Sequence, residues 1–274
     1  MMPANYQKNL YAVWGMPIEH SLSPEIHRQF AIQTGQDLVY QALAVGLSEF
    51  AMALQAYQGH GLNITAPLKE LAYQLIPQRT RRAESAQAVN TLVRLPSGQW
   101  LSDNTDGVGF LHDLRFNQKQ SIENKRILIL GAGGAIRGIL GPLVNEKPAS
   151  LSIVNRNVLK ARLLAQSFNS AQCSITASAW HDLAASPYDL IIHGTSASAW
   201  ENTLPTGLCS HNTYCYDLRY DRHSPFLAWA YSQGVKHCSD GLGMLVEQAA
   251  FAFKLWRGIT PDTVALLKQL KRHA

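Results

Sequence analysis

Residues Arg126–Arg137 read RILILGAGGAIR. Arg126–Leu130 read as a strand, an apolar run that ends in a glycine-rich turn, which is the pattern of a strand buried on both faces. Gly131–Ala135 then lead into a helix. A strand that ends in G-x-G and opens a helix brings backbone N–H groups close to a pyrophosphate and adds the positive end of the helix dipole. The sixth place of the pattern holds Ile136 rather than Gly or Ala. The loop alone is therefore compatible with a tight turn that binds nothing. Its context favours a dinucleotide site, because the strand before it is clear and the next strand, Ser150–Asn155, comes at the right distance.

The cofactor is read about twenty residues after the loop. A site for NAD places Asp or Glu at the end of the second strand, where it accepts from the ribose 2′-OH. This chain has Asn155–Arg156 there, with Lys160 one helical turn further on. A carboxylate would repel a 2′-phosphate, and a guanidinium grips one through paired, charge-assisted hydrogen bonds. NADP is expected over NAD.

Outward from the loop, Ser174–Ala177, Tyr188–His193, Tyr214–Leu218 and Val235–Cys238 complete about six strands, the size of a Rossmann sheet. Before the loop, Tyr11–Pro17, Leu38–Val45, Leu62–Thr65 and Ala88–Leu95 read as strands. Pro24–Thr34, Leu47–Tyr57 and Pro67–Leu75 read as helices between them, and this alternation implies a mostly parallel sheet. Leu92–Leu95, Pro-Ser-Gly and Gln99–Asp103 read as a hairpin, hence one antiparallel edge. Gly243–Trp256 and Pro261–His273 are amphipathic, with no strand after them. The fold expected is α/β, with an N-terminal α/β substrate domain (1–105, completed by helices in 243–274) and a Rossmann-type NADP-binding domain (106–242). A helix over Gly107–Asn117 joins them, and a cleft lies between.

The 274 residues are 46% hydrophobic and 16% charged, with net charge +5. The Lys and Arg are scattered, without a basic stripe interleaved with aromatics, so nucleic acid is not an expected partner. Such a balance suits small anionic ligands. Cys173, Cys209, Cys215 and Cys238 show neither CxxC nor zinc-ligand spacing, so no metal is expected and the thiols read as buried and reduced. Residues 1–15 lack a basic n-region followed by an apolar core, and the most apolar window, Ile127–Val144, is broken by glycines. A cytoplasmic protein with no membrane partner is expected.

Three polar clusters remain. In HSLSP (20–24), Ser23 before Pro24 reads as a helix N-cap, and Ser21 offers a second hydroxyl. In AVNT (88–91), Asn90 stands in an otherwise apolar strand, and a buried amide needs partners. In DNTDGVG (103–109), either Asp103 or Asp106 can cap the next helix. GLNITAPLKE (61–70) adds Lys69 at a strand-to-helix turn. Each is ordinary grammar when taken alone. Together they lie at strand ends, where open α/β sheets bind ligands, and supply hydroxyls, an amide, an amine and a carboxylate. Hydride-transfer sites need such groups: the cofactor carries the redox step, while the protein orients a polar substrate and moves one proton.

Several stretches match a known family in order and spacing: YAVWGMPIEHSLSP (11–24), NITAPLK (63–69), AVNTL (88–92), DNTDGVG (103–109), GAGGAIR (131–137), NR (155–156), YDLRY (216–220) and DGLGMLVEQAA (240–250). The chain resembles the shikimate dehydrogenases over nearly its whole length. The resemblance implies NADP-linked, reversible reduction of 3-dehydroshikimate to shikimate in aromatic amino-acid biosynthesis, by a monomer or homodimer. It implies Lys69 and Asp106 as the catalytic pair. Ser21, Ser23 and Tyr220 would hold the substrate carboxylate, and Thr65, Asn90, Asp106 and Gln248 with Lys69 the ring hydroxyls. Gly131, Ala132, Gly133, Gly134, Ala135, Asn155, Arg156, Asn157, Lys160, Leu218 and Gly241 would line the cofactor. The alternatives are a relaxed-specificity quinate/shikimate dehydrogenase and a catalytically silent NADP-binding sensor. The chain departs from the family pattern at Leu68, at Gln87 where Gly is usual, at Asn157 and Lys160, and at His193–Ser198 where the family carries Asn-Ala-Thr-Ser-x-Gly.

Overall fold

The computed structural model describes residues 9–168, 173–195, 204–220 and 223–273. The chain divides into two compact units, residues 1–110 with 245–274, and residues 111–244. The divisions fall a few residues past those expected from sequence. The first lies within one helical segment, because α5 (Asp106–His112) runs on into a π-helical turn at Asp113–Asn117.

The first unit begins β1 (Leu10–Gly15), α1 (Ser23–Thr34), β2 (Val39–Ala44), α2 (Phe50–Ala56), β3 (Gly61–Ile64), α3 (Lys69–Leu75) and α4 (Arg81–Ala86), followed by β4 (Thr91–Arg94) and β5 (Trp100–Asp103). The sheet order is β2-β1-β3-β4-β5. β1 pairs in parallel with β2 and β3, while β4 is antiparallel to β3 and to β5. The reversed strand is thus β4, inside the sheet; the edge strand β5 runs with the others. Trp14, Phe50, Leu62, Ile64, Leu68 and Leu92 fill the core on one side.

Three local readings are corrected. Ser23 is the first residue of α1 rather than its cap, and its N–H donates to Ser21 Oγ at 3.3 Å. Ala88–Asn90 precede β4 instead of lying in it, which brings Asn90 to the sheet's end. Helix α4, unread in the sequence, starts at Thr80, whose hydroxyl accepts from the Ala83 N–H at 3.3 Å.

The second unit holds β6 (Arg126–Leu130), α6 (Gly134–Asn145), β7 (Ser150–Val154), α7 (Val158–Phe168), β8 (Ser174–Ser178), β9 (Leu190–His193), β10 (Tyr214–Asp217), α8 (Pro225–Ser232) and β11 (His237–Ser239). All neighbours in the six-stranded sheet are parallel, in the order β11-β10-β9-β6-β7-β8. Counted from β6 this is 3-2-1-4-5-6, the doubly wound order of dinucleotide-binding sheets.

Two helices end the chain, α9 (Leu242–Arg257) and α10 (Thr263–His273). The later part of α9 belongs to the first unit. Trp256 packs tilted against Tyr11 with ring centroids 4.8 Å apart and donates from Nε1 to the Leu92 carbonyl at 2.9 Å. The indole fills the space over Gly61, where a Cβ would stand 2.3 Å from Nε1. Among the described residues no helix is long and apolar enough to cross a membrane.

Beneath α9, His27 is wholly buried, stacked on Tyr40 at 4.2 Å and flanked by Phe30, Phe253 and Trp256. Burial drives its pKa down to about 3, and the neighbouring Asn63 amide offsets only part of that. Below pH 6.5 the unfolded chain takes up a proton that the native imidazole refuses. Stability should therefore fall as pH drops from about 6.5 to about 3, by about 1.4 kcal/mol per unit from this group. Urea midpoints at pH 7.5 and 5 should converge in His27→Phe relative to the parent; an unchanged gap would show that His27 titrates normally.

Gln87 closes α4 in the left-handed region at φ 48°. A side chain there costs about 1 kcal/mol, and glycine avoids the clash. Gln87→Gly should raise the unfolding free energy by about 0.5 kcal/mol, since glycine's greater freedom in the unfolded chain offsets part of the gain. A lower denaturation midpoint would mean that the Gln87 side chain outweighs its backbone strain.

Candidate active site

Lys69 opens α3. A cation at this end of a helix opposes the dipole, so the helix gains nothing from it. Its Nζ lies 2.6 Å from Asp106 Oδ2, and the two side chains are only 14% and 5% exposed. Among the described residues no other side chain accepts from the Lys69 ammonium, which leaves N–H groups for a ligand. Asp106 is fixed from behind. Its Oδ1 accepts from Asn90 Nδ2 at 2.8 Å, and its N–H donates to Asn104 Oδ1 at 3.0 Å.

Asn90 joins the remaining groups. Its amide also lies within 3.0 Å of Thr105 Oγ1 and 3.2 Å of Gln248 Oε1, while its Oδ1 accepts from the Thr105 N–H at 2.8 Å and the Thr91 hydroxyl at 2.8 Å. Gln248 comes from α9, and the glycine at 109 allows it to approach: a Cβ there would meet the Gln248 backbone nitrogen at 2.5 Å. Asn63 of β3 donates to the Asn90 carbonyl at 3.1 Å and to Thr91 Oγ1 at 3.2 Å, and accepts from the Tyr40 hydroxyl at 2.7 Å. Tyr40 in turn hydrogen-bonds Ser23, and burial, then charge repulsion from Tyr57, keeps its phenol protonated well above the usual range. A continuous polar chain thus runs from Ser23 at the start of α1 to Lys69.

Of the residues expected for the substrate, the structure brings Lys69, Asn90, Asp106 and Gln248 into direct contact. Ser23 reaches them through Tyr40 and Asn63. Ser21 sits half-buried beside Ser23, and Thr65 follows β3 with its carbonyl accepting from the Leu68 N–H. Tyr220 is exposed and belongs to the second unit. Asp103 has a structural task, accepting from Thr80, from Arg82 Nε at 3.0 Å and from Arg82 Nη2. Tyr40, Asn63, Asn104 and Thr105 were not assigned roles from sequence. The one available signal was Asn63, an amide inside a four-residue strand.

In the second unit, Gly131 has φ +121°, which a side chain resists, and an added Cβ would meet the Gly194 carbonyl at 2.8 Å. Gly133 precedes α6, and helix geometry leaves the first N–H groups of α6 without intrahelical acceptors. At the end of β7, Arg156 and Lys160 are exposed, and among the described residues no acid pairs with either. Asn157 starts α7: its Oδ1 accepts from Leu159 N at 3.1 Å and Lys160 N at 3.4 Å. Asn155 Nδ2 donates to the Asn157 carbonyl at 2.9 Å.

Leu218 and Gly241 lie back to back, since a Cβ on Gly241 would stand 2.2 Å from the Leu218 carbonyl. The Leu218 N–H donates to the His193 carbonyl at 2.8 Å. His193 Nδ1 and Asp217 Oδ1, both buried at the ends of adjacent strands, are 2.9 Å apart. Asp217 also accepts from the Arg219 N–H at 3.0 Å and from Ser224. Phe226 stacks on His193 at 4.8 Å. His193 departs from the family pattern, and the buried pair shows what it does: it ties β9 to the turn that carries Leu218. Residues 196–198 of the same segment lie outside the described residues.

The family model for the shikimate dehydrogenase substrate-binding domain matches residues 13–92, that for shikimate/quinate 5-dehydrogenase residues 113–202, and that for the shikimate 5′-dehydrogenase C-terminal domain residues 241–271. A shikimate dehydrogenase (NADP(+)) of Hahella chejuensis is 46% identical over 272 residues, covering 96% of this chain and 99% of its own. The crystal structure of an Ael1 enzyme from Pseudomonas putida superposes with TM-score 0.85 at 39% identity, covering 96% of this chain and 98% of that one. The shikimate 5-dehydrogenase of Thermus thermophilus in complex with NADP(H) and shikimate gives TM-score 0.81 at 29% identity, covering 97% and 100%. With matches along both units and a relative of nearly equal length, the chain belongs to the shikimate dehydrogenase family.

Proposed function

We propose that this protein catalyses the NADP-dependent, reversible reduction of 3-dehydroshikimate to shikimate, a step of aromatic amino-acid biosynthesis, in the cytoplasm and as a monomer or homodimer. The observation that carries the reading is the Lys69–Asp106 pair, 2.6 Å apart and held by the Asn90 amide. A silent binding protein has no use for a desolvated ammonium kept beside a carboxylate.

The chain fits the cofactor. Gly131–Ala135 offer bare backbone and a helix N-terminus to a pyrophosphate. Arg156 and Lys160 offer exposed cations to a 2′-phosphate, with Asn155 beside them and Asn157 setting the start of the helix. Leu218 and Gly241 supply apolar wall and close backbone. When bound, NADPH supplies the hydride.

The protein's own part is to orient the substrate and move a proton. The Lys69 ammonium donates a proton to the oxygen of the ketone as it becomes an alcohol, and in the reverse direction the neutral amine takes it back. Asp106 holds the amine on target and, with Asn90, Thr65 and Gln248, accepts from or donates to ring hydroxyls. Ser21 and Ser23 at the start of α1, with Tyr220, receive the carboxylate. The roles of Lys69, Asp106, Asn90 and Gln248 rest on the hydrogen-bonded geometry of the first unit, and those of Thr65, Ser21, Ser23 and Tyr220 on the family motif.

The decisive assay follows reduced nicotinamide formation from shikimate and NADP⁺, with quinate and NAD⁺ in parallel. Turnover is expected with shikimate and NADP⁺, at least tenfold faster than with either substitute. Comparable rates with quinate would move the chain to the relaxed-specificity branch, and NADP⁺ binding without turnover would make it a sensor. Lys69→Ala should fold and bind NADP⁺ while kcat falls by about 10²–10⁴; near-normal kcat would remove Lys69 from proton transfer. Arg156→Ala should raise KM for NADP⁺ by about tenfold or more, the worth of one charge-assisted hydrogen bond, and leave KM for NAD⁺ within about twofold. Equal effects on both would mean that the 2′-phosphate is read elsewhere.

A further inference from the structure

Three of the four cysteines meet at one edge of the second sheet. β11 is a three-residue edge strand bound only to β10. Cys215 of β10 and Cys238 of β11 are register partners in that parallel pair, so their side chains leave the sheet on the same face. Cys209 joins the same apolar cluster, beside Leu208, Phe226 and Val235. The Cys215 thiol interacts with the thiols of both Cys209 and Cys238. Cys215 is buried, while Cys209 and Cys238 are half-buried. Of the four thiols read as buried, only Cys173 and Cys215 are, and sequence separation gives no hint of which strands lie side by side.

The Cα spacing of the two neighbours lies within the reach of a disulfide. Adjacent strands hold their Cα atoms about 4.8 Å apart, inside the span of about 4.4–6.8 Å that a disulfide bridges. The Cβ atoms must close slightly, and a three-residue edge strand with a single neighbour can yield that much. The environments of the thiols set Cys215 apart from both neighbours, since Cys215 lowers the pKa of Cys209 and Cys238 alike, and it is the register pairing that singles out Cys238. At Cys238, the Cys215 thiol favours the thiolate most, partial burial opposes it, and the Tyr231 hydroxyl and Cys215 backbone add to it. Cys215 is pushed the other way, first by its two thiol neighbours and then by burial, so it remains a thiol. Cys173, on another part of the sheet, is buried with its thiol raised by desolvation alone.

We propose that Cys238 and Cys215 form an oxidisable dithiol site that reacts with a hydroperoxide to give a disulfide. The Cys238 thiolate attacks one oxygen of hydrogen peroxide; the O–O bond breaks, hydroxide leaves, and Cys238 becomes a sulfenic acid. The Cys215 sulfur then attacks the Cys238 sulfur as its proton departs. The S–S bond forms, the S–O bond breaks, and the oxygen leaves as water. Two thiols have lost two electrons and two protons, and one peroxide has become two waters.

The test treats the full chain with hydrogen peroxide, alkylates remaining free thiols and maps the peptides by mass spectrometry. The expected product is a cross-linked Cys215–Cys238 peptide pair, two hydrogens lighter and released by dithiothreitol, with Cys173 and Cys209 alkylated. Cys238→Ser should abolish the cross-link and Cys209→Ser should retain it. A Cys209–Cys215 bond, a sulfinic acid on Cys238 without a cross-link, or four alkylated cysteines would each overturn the proposal. The map of the unsubstituted protein decides the matter even where a core variant such as Cys215→Ser fails to fold.

Discussion

Asn90 is 2% exposed, and every polar atom it carries is engaged. Its N–H donates to the Asp103 carbonyl, its carbonyl accepts from Ile64 and Asn63, and its side chain binds Thr91, Thr105, Asp106 and Gln248. One amide thereby joins β3, the start of β4, the end of β5, α5 and α9. A buried polar group left without partners costs more than a made hydrogen bond returns, so these elements cannot shift independently. The position of the Asp106 carboxylate, and through it the Lys69 ammonium, follows from that constraint.

The two units solve the placement of functional groups by opposite means. In the first, side-chain amides and hydroxyls form a closed network and fix a charge pair within it. In the second, what matters is the absence of side chains: Gly131 against Gly194, and Gly241 against Leu218, bring backbone to within a distance that a Cβ would prevent. The buried His193–Asp217 pair is a polar anchor there that resembles the network of the first unit. It stands where the turn after β10 needs fixing.

Much of this was legible in the sequence, for reasons that differ by element. The strand Arg126–Leu130 was read to the residue, because a buried parallel strand is an apolar run and its end is marked by glycine. The hairpin at Leu95–Gly98 was marked by Pro-Ser-Gly. What could not be read was pairing. The reversed strand was expected at the edge because the turn reveals that two strands are antiparallel without revealing where the sheet stops. Asn90 looked like a strand residue because Val89 and Leu92 around it are apolar, yet burial there comes from packing at the sheet's end. Lys69, Asp106 and Gln248 were recognised through the family motif rather than through spacing, since their contacts cross 37 positions in one case and 158 between Asn90 and Gln248 in another. Tyr40 and Cys238 escaped because a phenol and a thiol gain meaning only from the strand beside them.

The first unit is assembled from both ends of the chain. Trp256 covers Gly61 and Tyr11, Arg257 reaches Asn9, Tyr11 and Gln36, and Gln248 completes the amide network. On a ribosome these residues emerge only after the whole second unit has done so. The Rossmann sheet can therefore mature while the earlier sheet still exposes the surface that α9 will cover. Synthesis order separates two events in time: the chain acquires the sheet that suits a nucleotide before it can hold the Lys69–Asp106 pair in place.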